Sequence, residues 1–156
     1  MSDILGVSAR FNGSALEFYD KATGRTVSIL DAAFGPQFSV PFTATLAQIN
    51  AGMAILADDP NRTILPVGIF LKVTGSFSSL TDIRLSDNAA SPVDIVTFAQ
   101  AQLTNGTAFG LTSTGVTIGA GFGVKLTAGK GVNIRQTGSA GTVGTSVFGI
   151  LHYILQ

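Results

Sequence analysis

The sequence contains no cysteine and no tryptophan among its 156 residues. The lack of cysteine excludes disulfide bonds and thiolate metal sites. Neither is needed to hold a core, because a chain of this length buries roughly 70% of its unfolded surface on folding. The single histidine, His152, has no second imidazole or thiol with which to share a metal ion. We therefore expect no metal site, and we interpret His152 as a half-buried strand residue whose ring is hydrogen-bonded.

Charge is also scarce, since charged residues make up 12% of the chain against about a quarter in an average protein. The nine basic and nine acidic side chains cancel, and the basic ones form no run. A nucleic-acid surface needs clustered cations, so we expect no nucleic-acid partner. A net charge near zero gives little repulsion between copies, and 46% of the residues are apolar. Both features predict a homo-oligomer or a subunit of a larger assembly.

Long apolar runs are missing as well. No window reaches the ~18 uninterrupted apolar residues of a membrane-spanning helix. The first six residues lack the basic lead and apolar stretch of a secretory signal. We expect no membrane association, and synthesis in the cytoplasm without a cleaved export signal.

Nineteen glycines separate short runs that are rich in valine, isoleucine, phenylalanine and threonine. Turn signals at about ten-residue intervals are typical of a β-sandwich or barrel. We predict an all-β, single-domain jelly roll or β-sandwich of about eight strands, with one or two short helical turns. Residues 1–13 are assigned to an N-terminal arm and residues 14–156 to the sandwich domain.

Several elements are predicted individually in the first part of the chain. Two alternating segments, Ala15–Tyr19 and Arg25–Leu30, form a hairpin whose loop ends at Gly24. Asp31–Thr43 carries two prolines and is predicted to be an irregular extended connection. Thr45–Gly52 is predicted to be a helical turn, with its first residue as the N-cap and its last in a positive-φ conformation.

The strands of the second half are predicted from their apolar runs. Thr63–Val73 is a strand in which Pro66, having no N–H, lies at a sheet edge or a bulge. Gly121–Leu126 is predicted to be a short strand, whereas Ala99–Thr104 is left open between helix and strand. The last run, Thr145–Leu155, is apolar on both faces, so it must lie in the centre of a sheet or be covered by another subunit.

That terminal run is also our candidate for self-association. A strand with two apolar faces buries one in its own core and leaves the second for a partner. The residues predicted to form the self-association surface are Val147, Phe148, Ile150, Leu151, Tyr153 and Leu155.

No residue that could act in catalysis or ligand binding has the neighbouring residues that the activity would require. The acidic turn Asp58–Asn61 offers too few of the about six to eight oxygens that calcium needs. The only glutamate, Glu17, has no partner carboxylate of the kind glycosidases use. Ser139 does not lie in a nucleophile elbow. Two glycine clusters resemble nucleotide loops but lack the helix or hydroxyl residue that completes them: Gly119–Gly123 and Gly129–Gly131. We predict no catalytic residues and no cofactor.

Three phrases of the sequence resemble small structural proteins of tailed bacteriophages, of the kind that decorate or cement the capsid: Leu16–Gly24, Thr45–Gly52 and Leu126–Gly141. The resemblance implies a jelly-roll fold, no catalysis and a place in the virion, on the outer surface of the capsid. It implies homo-oligomers, with a trimer favoured over a dimer, that bind the major capsid protein and stabilise the head. The family supplies no functional residues to carry over.

Other functions stay open from the sequence. The alternative is a head-fibre or tail-associated module that attaches to host-surface carbohydrate, because the phrases quoted above do not distinguish it from a capsid protein. Sugar sites usually present exposed aromatic platforms, whereas this chain has no tryptophan and only two tyrosines, Tyr19 and Tyr153. A small-molecule-binding or hydrolytic β-barrel is disfavoured, because the sequence shows no group of polar residues arranged to bind a ligand or to hydrolyse a substrate.

Overall fold

The computed structural model describes residues 7–12, 15–20, 26–27 and 37–156, with side chains described from Gln37 onward. It contains twelve strands, one α-helix and one 3-10 turn (Gln100–Gln102) in that part of the chain. The strands and helix are β1 (Val7–Asn12), β2 (Ala15–Asp20), β3 (Thr26–Val27), β4 (Gln37–Thr45), α1 (Leu46–Ala51), β5 (Met53–Leu56), β6 (Ile64–Thr74), β7 (Ser78–Asp87), β8 (Asp94–Ala99), β9 (Ala108–Phe109), β10 (Val116–Ile118), β11 (Val132–Val143) and β12 (Ser146–Leu155).

Nine of the strands form two antiparallel sheets, which confirms the predicted β-sandwich. One sheet has the order β4-β12-β6-β9 and the other the order β10-β8-β7-β11-β5. With β10 set aside, eight strands remain from β4 to β12. Counted from one to eight in chain order, these strands form one sheet with the order 1-8-3-6 and a second sheet with the order 2-7-4-5. This alternation between two sheets is the jelly-roll topology.

The core lies between the inner faces of these two sheets, because strand residues alternate between faces. Leu71, Ile83 and Leu151 are among the fully buried side chains that the sheets contribute. The rings of Phe98 on β8 and Phe109 on β9 lie 5.4 Å apart at 59° and connect the two sheets. Tilted aromatic contacts of this kind add stability beyond the area they bury.

Strand β12 lies between β4 and β6, so the terminal run adopts the first of the two predicted arrangements, a central place in a sheet. Its register with β6 shifts between His152 and Tyr153, where Gly68 and Pro66 are the partners. Val67 is therefore the extra residue of a bulge next to Pro66. This confirms the predicted proline position, since a residue without an N–H is tolerated at a bulge.

Helix α1 has the predicted caps. Thr45 is the N-cap and forms a capping box with Gln48, in which the Gln48 N–H donates to the Thr45 hydroxyl at 3.3 Å. Gly52 closes the helix with a φ of 79°, a conformation that L residues with a side chain rarely adopt. The predicted turn at residues 58–61 is also present, because the Arg62 N–H donates to the Asp59 carbonyl at 3.1 Å.

Two predictions of local structure were wrong. Residues 37–43, expected in an irregular connection, belong to β4. The proline there, Pro41, is tolerated because β4 is an edge strand. Gly121–Leu126, expected as a strand, begins with a turn and contains no strand, and Gly123 has a φ of 70° that a regular strand does not contain. The open segment after β8 is the 3-10 turn.

The first strands form a sheet of their own in the order β1-β2-β3. The pairing of Phe18 with Val27 and of Tyr19 with Thr26 confirms the predicted antiparallel hairpin. Gly24 and residues 28–36 lie outside the described residues. Strand β1 pairs with β2 along its full length, across the predicted boundary at residue 13. The division into an arm and a domain stays a prediction. No helix in the described part is long and apolar enough to span a membrane.

Candidate interaction surfaces

The outer surface of the four-stranded sheet carries an apolar patch. Pro41, Ile150 and Phe70 are direct neighbours across β4, β12 and β6, and Phe148 lies next along β12. Phe70 is 36% exposed and Phe148 is 40% exposed, which is unusual for phenylalanine. We call these four residues the apolar face. Lys72, opposite Phe148, is the charged neighbour that the register places beside it.

The structure divides the six residues predicted for self-association into three pairs. Phe148 and Ile150 lie on the apolar face. Val147 and Leu151 are fully buried in the core of the chain itself, so their side chains present no surface to a partner. Tyr153 and Leu155 are partly buried and pack against the core. The predicted set therefore combined residues of both faces of β12, and self-association through this strand stays a prediction.

The outer surface of the five-stranded sheet carries paired charges at its centre instead. The Arg84 guanidinium donates to Asp94 at 2.7 Å and to Asp82 at 3.3 Å, and Thr137 also donates to Asp82, at 2.6 Å. Arg135 lies 4.0 Å from Asp94. We call these five residues the polar face. Its two cations and two anions neutralise one another, so this face attracts ions of neither sign strongly.

His152 is half-buried, and its Nδ1 forms a hydrogen bond with the Ser39 hydroxyl at 2.7 Å, as we expected. Its ring also lies against Gly68, where a Cβ would meet the imidazole Cδ2 at 3.1 Å. Within the described residues, no three histidine, cysteine or carboxylate side chains are grouped so that they could hold a metal ion. Ser139 is exposed on β11. The remaining candidate of the sequence, Glu17, lies on β2 and its side chain is not described.

Two aspartates connect the loops at one end of the sandwich, and sequence inspection did not identify them as partners. Asp58 accepts hydrogen bonds from the Gly131 N–H at 2.8 Å, from Lys130 at 2.9 Å and from Asn88 at 3.2 Å. It thereby joins the β5–β6 loop to the β7–β8 and β10–β11 connections. Its partners are 30 to 73 residues away in the chain, so no local sequence pattern predicts these hydrogen bonds.

The second carboxylate, Asp87, is only 1% exposed. It accepts hydrogen bonds from Thr127 Oγ1 at 2.6 Å and from the Val93 N–H at 2.8 Å. Burial acts to raise the pKa of Asp87, but the hydrogen bonds from Thr127, Val93 and Ala89 outweigh burial and leave its pKa below the ordinary value. We call Asp58 and Asp87, with these partners, the loop clamp. Buried carboxylates are retained only when they are satisfied in this way.

A small cleft of about 160 Å³ opens beside the loop clamp. We call its apolar lining the floor (Leu56, Ala57, Ile64, Tyr153 and Leu155) and its charged lining the rim (Asp59, Arg62 and Lys130). The floor residues come from β5, β6 and β12 and from the residue that follows β5. The cleft therefore lies where the two sheets separate at the end of the sandwich.

We predict that Asp58→Asn lowers stability in a manner that depends on pH. The backbone hydrogen bond from Gly131 and the side-chain hydrogen bonds from Lys130 and Asn88 lower the pKa of Asp58 to about 2, from 3.8. The carboxylate therefore contributes stability above pH 3.8, and this contribution is lost as the pH falls towards 2.

Urea unfolding at pH 7, at pH 4 and near pH 2 tests this prediction. The midpoints of the parent and of Asp58→Asn should differ most at pH 7 and converge near pH 2. Asp59→Asn is the matched control, because Asp59 is the neighbouring carboxylate and its contact with Arg62 is an exposed one at 3.6 Å. If the difference between the two urea midpoints stayed constant from pH 7 to pH 2, the charge of Asp58 would not be the source of the stability.

No protein-family model matches the sequence, and searches of curated proteins and of solved structures find no significant similarity. The topology and the surfaces described above therefore carry the functional interpretation.

Proposed function

We propose that this chain is a structural protein of a virus particle, a capsid decoration or cement protein. It oligomerises and binds the outside of the major capsid protein shell, and so stabilises the head. The observation that carries the proposal is the contrast between the two outer surfaces: Phe70 and Phe148 are exposed on one sheet, whereas the other sheet presents paired charges.

This contrast supports docking in one orientation. Exposed apolar area is costly in water and is removed when two proteins associate. The apolar face is the surface for neighbouring copies, and the polar face is directed to solvent. A specific interface of about 1,200–2,000 Å² needs more than these four residues, so adjoining edge-strand positions of β4 contribute to it. A trimer requires each copy to use two different patches around a threefold axis, one of which is the apolar face.

Jelly rolls occur in capsid proteins, where they serve as rigid subunits. The loop clamp supports this role, because it holds three connections together by hydrogen bonds to carboxylates that are ionised at neutral pH. A cement protein must keep its shape while the shell that it covers is under pressure from the packaged genome. The carbohydrate-attachment alternative gains no support from the described surfaces, since the exposed aromatic residues are phenylalanines that also serve a protein contact.

The proposal is tested by adding the purified chain to heads of the particle that encodes it, after the chain has been stripped from them. We expect saturable binding and heads that resist heat or low ionic strength better than stripped heads do. Electron cryomicroscopy of the particle then locates the chain. Density on the tail or on a fibre, or a monomer without affinity for heads, would contradict the proposal.

We predict that Phe148→Glu disrupts self-association. A carboxylate placed in the apolar face must be desolvated at the interface, and central aromatic residues of interfaces often contribute about 2 kcal/mol or more. The dissociation constant measured by sedimentation should therefore rise by about 30-fold or more. Val143→Glu is the matched control, because Val143 is an exposed apolar residue of the other sheet, at 58% exposure. Equal effects of the two variants would show that the apolar face is not the interface.

A further inference from the structure

The cleft beside the loop clamp has the size of one side chain. Pockets for small-molecule ligands usually have volumes of about 300–1,000 Å³, whereas this cleft measures about 160 Å³. A protein cavity of about 150 Å³ is filled by one benzene molecule. The space over Leu56, Ile64 and Leu155 therefore matches the size of a benzyl or isobutyl group.

The rim has the chemistry of a peptide contact. Asp59 offers a carboxylate acceptor, and Arg62 and Lys130 offer cationic donors. Lys130 is held by Asp58 at 2.9 Å, while the Arg62 Nε lies 3.6 Å from Asp59, beyond hydrogen-bond distance. A rim with both acceptors and donors does not select an ionic ligand of one sign. It matches the N–H and C=O groups that flank a side chain in a polypeptide.

We propose that this cleft binds a single leucine- or phenylalanine-sized side chain from an extended segment of a partner protein. The partner's identity as a shell protein rests on the proposed function, but the binding of the side chain does not. The apolar floor buries the side chain, while Asp59 and Arg62 hydrogen-bond the adjacent peptide groups. Such anchor pockets commonly carry a large share of the binding energy of an interface.

The cleft is formed before any partner arrives. Ile64 is buried in β6, and Tyr153 and Leu155 pack against the core. On the rim side, the loop clamp fixes Lys130 through Asp58. A pocket whose walls are already ordered loses little conformational entropy on binding, which favours recognition of a short segment.

The test uses N-acetyl amino-acid amides as probes of the full chain. Their glycine, alanine, valine, leucine, phenylalanine and tryptophan forms are titrated against protein with labelled isoleucine and leucine methyl groups, and NMR shifts are followed. We expect affinity to rise by about fourfold per buried methylene from alanine to leucine. The leucine and phenylalanine amides should bind best and shift the Leu56, Ile64 and Leu155 methyl groups. The tryptophan amide should gain no affinity over the phenylalanine amide, because part of its larger ring extends out of the cleft.

Two variants test whether the amides bind in the cleft. Ala57→Leu fills the cleft from an exposed position and should abolish binding of the leucine amide. Arg62→Met should weaken the binding of every amide several-fold while it preserves the size order. Lys72→Met, on the opposite side of the four-stranded sheet, is the control and should change nothing. Tightest binding by the tryptophan amide, equal binding by the glycine amide, or unchanged binding to Ala57→Leu would overturn the inference.

The two proposals fail separately. If the amides do not bind while the chain still forms oligomers and binds heads, only the cleft inference is lost. If the amides bind in the expected size order while the chain is a monomer without affinity for heads, the cleft inference stands and the proposed function falls. Sedimentation of Ala57→Leu should match the parent, since the cleft is separate from the apolar face.

Discussion

Replacing Phe98 by alanine is expected to lower the free energy of unfolding by about 3–5 kcal/mol. Phe98 is fully buried on β8, and its ring contacts Phe109 on the opposite sheet at a centroid distance of 5.4 Å. Truncation removes this link between the sheets and leaves a cavity that a close-packed interior refills only in part. Because domains are stable by only about 5–15 kcal/mol, the loss is a large fraction of the whole.

Urea unfolding at one fixed protein concentration measures the effect, since self-association adds concentration-dependent stability. Phe148→Ala is the matched control, because Phe148 is 40% exposed on the apolar face. In the monomer it should change stability by about 0.5 kcal/mol or less. If the two truncations cost the same, the assignment of inner and outer faces would be wrong.

The second large effect is expected from Gly131→Ala. A Cβ at this position would collide with the Leu56 carbonyl oxygen and would lie 2.7 Å from the Ala57 carbonyl carbon. Both obstacles are backbone, and the pairing of β11 with β5 ends beside them, at Val132 and Leu56. Relief requires β5 and β11 to separate, which also stretches the hydrogen bond from the Gly131 N–H to Asp58. We expect a loss of about 3 kcal/mol or more, or failure to fold.

Gly110→Ala is the control for this substitution. A Cβ at Gly110 has no neighbour within 4 Å, and its φ is not in the positive range. Its stability should equal that of the parent or exceed it by about 0.5 kcal/mol, because alanine reduces the entropy of the unfolded chain. Thermal unfolding of the two variants side by side gives the comparison. If Gly131→Ala were as stable as Gly110→Ala, the β10–β11 connection would have to be able to move away from β5.

Local signals predicted several elements well, because their causes are local. Thr45 and Gly52 frame α1 through hydrogen bonds and a backbone angle that involve only the helix itself. Pro66 lies at a bulge because it lacks an N–H, whatever the fold around it. The wrong prediction for Gly121–Leu126 also has a local cause, since apolar residues between glycines resemble a strand while the glycines form turns.

The parts of the candidate surfaces that the sequence missed depend on residues far apart in the chain. Asp58 looked like part of a solvated turn, yet its carboxylate accepts from Gly131, 73 residues away. That contact exists only because strand order brings three connections to the same end of the sandwich. The cleft is likewise made of residues from β5, β6 and β12, which no local pattern groups together.

The sequence by itself determined the all-β class and the caps of α1, because alternation and capping act within one segment. It left the terminal strand open between a central place in a sheet and cover by another subunit. Only the tertiary structure decided which face of that strand is covered. A strand that is apolar on both sides has no preferred inward side until its neighbours set the register. The pairing with β4 and β6 places Val147 and Leu151 in the core and leaves Phe148 and Ile150 outside. The proposed interface therefore follows from strand register rather than from composition.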